Sequence, residues 1–75
     1  MDKRYDFEFY TINPKGDWSL YLIKNTGVAG RRDLLRKLKL DGYVFDRLQN
    51  AYLKDLEQLV GEPSVRFAVV ITLHK

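Results

Sequence analysis

The sequence predicts an α+β fold: a two-layer sandwich in which a three-stranded antiparallel or mixed sheet carries two helices on one face, in the order ββααβ. Three observations predict it. Two aromatic and β-branched runs at 4–12 and 18–24 flank a turn sequence, the middle of the chain repeats apolar residues at helical spacing, and an apolar run at 65–73 closes the chain. Seventy-five residues, 45% of them hydrophobic, suffice for one core, so residues 1–75 are expected to form a single domain.

Each element has a local reason. Residues 4–12 (RYDFEFYTI) combine aromatic and β-branched types with partial alternation of polarity, as a strand does. Asn13-Pro14-Lys15-Gly16 has Asn first, Pro second and Gly fourth, the preferences of a type I turn, so the chain should reverse into a second strand at 18–24. Residues 25–30 (NTGVAG) read as a connection. Over 31–40, Leu34, Leu35 and Leu38 share one helical face. Asp41 and Gly42 interrupt, with Asp41 placed to cap a longer helix through about residue 60, along which Phe45, Leu48, Tyr52, Leu56 and Leu59 recur. Gly61 and Pro63 should stop that helix. The last run, 65–73 (VRFAVVITL), is a strand by composition and length.

The tight hairpin leaves no room between its strands, so the run at 65–73 is expected at a sheet edge. It carries a single charge, Arg66, and no proline, unlike a protected edge. Its cover could be the chain's own N-terminal residues, a loop, or the same strand of a second copy in a homodimer. Two hairpin registers fit the pattern. One sets Phe7 and Phe9 with Leu20 and Leu22 and leaves Tyr10, Ile12, Tyr21 and Ile23 on the opposite face. The other exposes Tyr10, Ile12, Trp18, Leu20 and Leu22. Either places large apolar groups outside the core, and the candidate protein interface is Tyr10, Ile12, Tyr21, Ile23, Arg66 and Val70.

The formal charge of +3 is concentrated. Residues 30–39 (GRRDLLRKLK) hold five of the thirteen Lys and Arg, with one acid. Arg31 and Arg32 would sit at a helix start, where the dipole is already positive, so an anion or an acidic surface could dock on Arg31, Arg32, Arg36, Lys37 and Lys39. Against this stands an ordinary solvated face with an Asp33–Lys37 pair. A helix-turn-helix around Gly42 is poorly supported, because Asp46, Asp55 and Glu57 outnumber Arg47 and Lys54 on the second helix. RNA stacking on the sheet is opposed by Asp6 and Glu8 between the aromatics.

Nothing reads as catalytic. There is no cysteine, Ser19 and Ser64 lack an activating neighbour in sequence, and His74 lies beside the C-terminus. No metal-ligand spacing, Walker A or dinucleotide fingerprint is present, so no cofactor is expected. No apolar run approaches the roughly 20 residues that span a bilayer, and the chain is expected to be soluble and cytoplasmic. In size and ββααβ order it is similar to some small phage-encoded inhibitors, certain anti-CRISPR proteins among them. The resemblance implies a non-catalytic protein that binds a larger protein or nucleoprotein machine. The alternative is a nucleic-acid binder using 31–39.

Overall fold

The computed structural model describes residues 3–55 and 65–74. Its elements are β1 (Arg4–Ile12), β2 (Trp18–Gly27), α1 (Val28–Leu40), β3 (Val44–Asp46), β4 (Ala51–Asp55) and β5 (Arg66–Leu73). They form a five-stranded sheet in the order β2-β1-β5-β4-β3, antiparallel throughout, with one helix. The expected three-stranded sheet with two helices is therefore corrected to ββαβββ.

The first turn forms where its residue types demand it. Gly16 N–H donates to the Asn13 carbonyl at 2.9 Å, while the Asn13 side-chain oxygen accepts from the N–H groups of Lys15 (3.0 Å) and Asp17 (2.9 Å). Gly16 has φ 91, a value that side chains disfavour. The hairpin then uses both registers that the hydrophobic pattern allows. Phe9 pairs with Leu22 but Tyr10 pairs with Leu20, so Tyr21 is an extra, bulged residue. Phe7, Phe9 and Leu22 consequently share the helix face, and Tyr10, Ile12, Trp18 and Leu20 share the other.

Helix α1 follows β2 without a linker, three residues before its expected start. Gly27 is the N-cap and supplies no side-chain cap. Gly30 lies against Thr26 so closely that a Cβ there would stand 1.8 Å from the threonine Oγ1. Leu34, Leu35 and Leu38 pack on Phe7 and Val69, both fully buried at the centre of the helix-side core. At the other end, Gly42 N–H donates to the Lys39 carbonyl (3.2 Å) and Tyr43 N–H to the Leu38 carbonyl (3.0 Å), with Gly42 at φ 94. This is a Schellman termination. Asp41, expected to open a second helix, closes the first: its N–H donates to Lys37.

Residues 44–55 of the predicted second helix are the β3–β4 hairpin instead, and the rest of that helix, with its stop at Gly61 and Pro63, lies outside the described residues. The apolar residues there fit a helical period, and they also form two short continuous runs, Tyr43-Val44-Phe45 and Ala51-Tyr52-Leu53, that suit strands. Strand pairing decides between them, because β4 buries side chains on both faces. Tyr52 packs with Phe7 and Val69 on the helix side, whereas Ala51 and Leu53 join Ile12 and Ala68 in a second cluster on the far side. Leu48, placed by helical spacing in the core, is 97% exposed at the turn. Asp46 builds that turn by accepting from Leu48 N–H at 3.0 Å, and Asn50 completes it at φ 52.

The new hairpin also relocates the apolar run at 65–73. β5 is a central strand, paired along its length with β1 (Tyr5 with Leu73 to Ile12 with Arg66) and over Arg66–Val69 with β4. The expected edge position is corrected, and so is a homodimer built along that whole strand, since β1 and β4 already occupy its sides. Ala68 and Val69 are buried on opposite faces, which explains a run with so little alternation.

Candidate interaction surface

The long edge of this sheet is β2, whose residues from Trp18 to Asn25 are all exposed. Main-chain geometry shows which groups it offers. His74 N–H donates to the Arg4 carbonyl at 2.8 Å, so even-numbered β1 residues bond to β5 and odd-numbered ones to β2. Tyr5, Phe7 and Phe9 thus engage Thr26, Lys24 and Leu22, and the peptide groups of Ile23 and Asn25 point away from the sheet. Trp18, Leu20, Tyr21, Leu22 and Ile23 are the large apolar groups around them. Of the usual devices that blunt an edge, β2 carries one charge, Lys24, and the bulge at Tyr21.

The expected interface residues divide on this frame. Tyr10, Ile12, Ile23, Arg66 and Val70 share the face away from α1. Ile12 is buried there, with Tyr10 and Val70 half-buried against it, while Ile23 is exposed. Tyr21 does not join them: the bulge turns it toward Phe9, ring centroids 6.3 Å apart. Trp18 and Leu20 take its place. Trp18 meets the Tyr10 ring edge-on at 5.4 Å, a contact that the second of the two registers contains.

Polar groups frame the far face at both ends. Arg66 pairs with Asp55 at 2.6 Å in an exposed contact. At the other end Asp6 accepts from Asn25 Nδ2 (2.8 Å) and meets His74 Nδ1 (2.8 Å), and Arg4 Nε donates to Asn25 Oδ1. These hydrogen bonds, that from Asn25 foremost, hold the Asp6 carboxyl below its usual range. His74 is thereby fixed through both side chain and main chain, although it lies next to the last residue. The Tyr10 hydroxyl donates to Glu8 at 3.4 Å, and desolvation followed by the Glu8 charge raises its pKa.

The basic residues occupy α1. Arg31, Arg32, Arg36 and Lys39 line a shallow cavity of about 340 Å³ with Val28 and Leu35, and Lys37 stands outside it. Arg32, Arg36, Lys37 and Lys39 are exposed. The ion pairs among the described residues are Arg66–Asp55 and His74–Asp6, so Asp33 and Lys37 do not form the expected pair. Arg31 is different: half-buried, its guanidinium carbon lies 4.9 Å from the Tyr5 ring centroid.

Among the described residues no three His, Cys, Asp or Glu side chains could hold a metal, and no helix is long and apolar enough to cross a membrane. Ser19 is exposed on β2, and Ser64 lies outside the described residues. Comparisons with protein families, curated proteins and solved structures find no match to the chain.

Proposed function

We propose that this is a non-catalytic interaction protein that binds a protein partner along β2. The observation that carries the reading is the edge strand itself: ten residues long, with Trp18, Leu20, Tyr21, Leu22 and Ile23 all exposed. A partner strand laid beside Ile23 and Asn25 would gain main-chain hydrogen bonds and pack on side chains that a free edge leaves wet. Asp6 and Glu8 on the neighbouring strand disfavour nucleic acid as the ligand of this surface. The phage-inhibitor analogy rested on the order ββααβ and is not carried further, because the chain is ββαβββ.

The test is capture from nuclease-treated lysate, comparing the wild-type chain with Ile23→Lys and with Arg32→Ala/Arg36→Ala. The expected partner survives nuclease and 0.5 M salt (roughly a half-molar challenge), is lost with Ile23→Lys, and is kept by the double variant. Capture that instead needs nucleic acid, falls steeply with salt and vanishes with the double variant would replace this reading by nucleic-acid binding through Arg31, Arg32, Arg36, Lys37 and Lys39.

A further inference from the structure

A second, shorter stretch of open edge lies inside the sheet. β4 pairs with β5 only as far as Val69, opposite Tyr52. By the same alternation that orients β2, Thr72 and Val70 bond to β1, and Ile71 and Leu73 direct their N–H and C=O groups the other way. Among the described residues no strand meets them. At that place lies a cavity of about 340 Å³, lined on the helix side by Tyr5, Arg31, Phe45, Tyr52, Ile71 and Leu73 among others. Arg31 is its one charged lining residue, and Arg31 Nε is buried without a hydrogen-bond acceptor among the described residues. An unsatisfied guanidinium nitrogen is costly to bury, and a carboxylate is the acceptor that best relieves it.

We infer that the cavity binds an extended, acidic peptide segment, which continues the line of β4 along Ile71 and Leu73 and sets an Asp or Glu carboxylate on Arg31. The geometry ties the two contacts together. A partner residue that exchanges hydrogen bonds with Ile71 or Leu73 shares their face of the sheet. Those residues face α1, as Ile71 does in packing against the Phe7 cluster. An acidic side chain at that position therefore projects into the cavity and toward Arg31, while residues before and after it point to the far face. The Tyr5 ring lies over the guanidinium, its centroid 4.9 Å from the central carbon, and positions the cation beside the cavity. Charge selects the sign: among the described residues the lining holds Arg31 and no acid, and the first turn of α1 holds no acid either, so the site favours an anionic side chain. This site lies on a different edge from β2 and stands or falls separately from binding there.

The experiment is an NMR titration of the ¹⁵N-labelled full chain with three capped pentapeptides: Thr-Val-Glu-Val-Thr, the same with Gln for Glu, and the first N-methylated at Glu. The Glu peptide is expected to shift the Ile71 and Leu73 amides and the Arg31 Nε–H saturably. The Gln and N-methyl peptides should each bind about tenfold more weakly or worse. Arg31→Gln, checked for its fold by amide dispersion, should remove the preference for Glu over Gln. Equal binding of the Glu and Gln peptides, shifts confined to β2, or no shift at millimolar peptide would each overturn the inference. So would shifts of Ile71 and Leu73 on simple dilution, which would assign the edge to a second copy.

Discussion

The corner between β2 and α1 offers the sharpest quantitative test, because two principles oppose each other at Gly30. An alanine in a helix is favoured over glycine by about 1 kcal/mol, so Gly30→Ala should stabilise the chain if the corner were open. It is closed: the added Cβ would lie 1.8 Å from Thr26 Oγ1, 3.1 Å from its Cβ and 3.6 Å from its Cγ2. A change of threonine rotamer relieves the first overlap but leaves two Cβ atoms at 3.1 Å. Overpacking of this kind costs about 1–3 kcal/mol, so the net effect of Gly30→Ala is a loss of roughly 1 kcal/mol. In a Thr26→Ala background most of the overlap is gone, and the same change should become neutral or stabilising. Urea unfolding followed by Trp18 fluorescence measures all four chains, and for a domain this small each 1 kcal/mol moves the melting temperature by about 4–8 °C. If Gly30→Ala stabilises the Thr26 chain by the full helical preference, the close approach of β2 and α1 is wrong, and with it the placement of Arg31 over Tyr5.

Three further outcomes follow from the same packing. Phe7→Ala removes a fully buried ring from the helix-side core and should cost about 3–5 kcal/mol, most of what a domain this size possesses, so circular dichroism should show a largely unfolded chain. Leu48→Ala should change stability by less than about 0.5 kcal/mol, because the side chain lies at an exposed turn; a loss of about 2 kcal/mol or more would show that Leu48 is buried and refute its place at the β3–β4 turn. Asp6 has its carboxyl held below the usual range by Asn25 and His74, so its contribution to stability is present above the unfolded carboxylate pKa and is lost as pH falls through the lower, folded value. Asp6→Asn should therefore flatten the acid limb of stability against pH in urea titrations, and an unchanged limb would show that the Asn25 and His74 contacts do not persist in solution.

Much of the N-terminal half was legible because its signals are local. Asn13 to Gly16 specify a turn through their own backbone preferences and the Asn13 side chain, whatever else the chain does. Leu34, Leu35 and Leu38 mark the helix face in the same way. The hairpin register was legible only as two alternatives, and the structure contains both, joined by the bulge at Tyr21. That is why Trp18 and Leu20, rather than Tyr21, accompany Tyr10 on the far face. The stretch 41–55 misled because Phe45, Leu48 and Tyr52 fall at helical spacing while Tyr43-Val44-Phe45 and Ala51-Tyr52-Leu53 are also short continuous apolar runs that suit strands packed on both faces. Nothing local separates the two readings there. Gly42 could have been read as the end of one helix instead of a pause between two, since a left-handed glycine closes a helix by a Schellman motif.

The sequence by itself determined the first hairpin with its turn, a basic helix between strands, and an apolar last strand, all of which follow from composition and from contacts a few residues apart. Tertiary structure decided the rest. Whether 44–55 coils or pairs depends on a free side of β5 that can bury Leu53 on one face and half-bury Tyr52 on the other, a reward that exists only once β5 lies beside β1. That single choice covered Arg66–Val69 with β4, left β2 as the long edge, and among the described residues left Ile71 and Leu73 with no strand on the side away from β1, beside Arg31. Both candidate binding edges therefore arise from strand order, which is a property of long-range hydrogen bonding and is invisible to any local window of the chain.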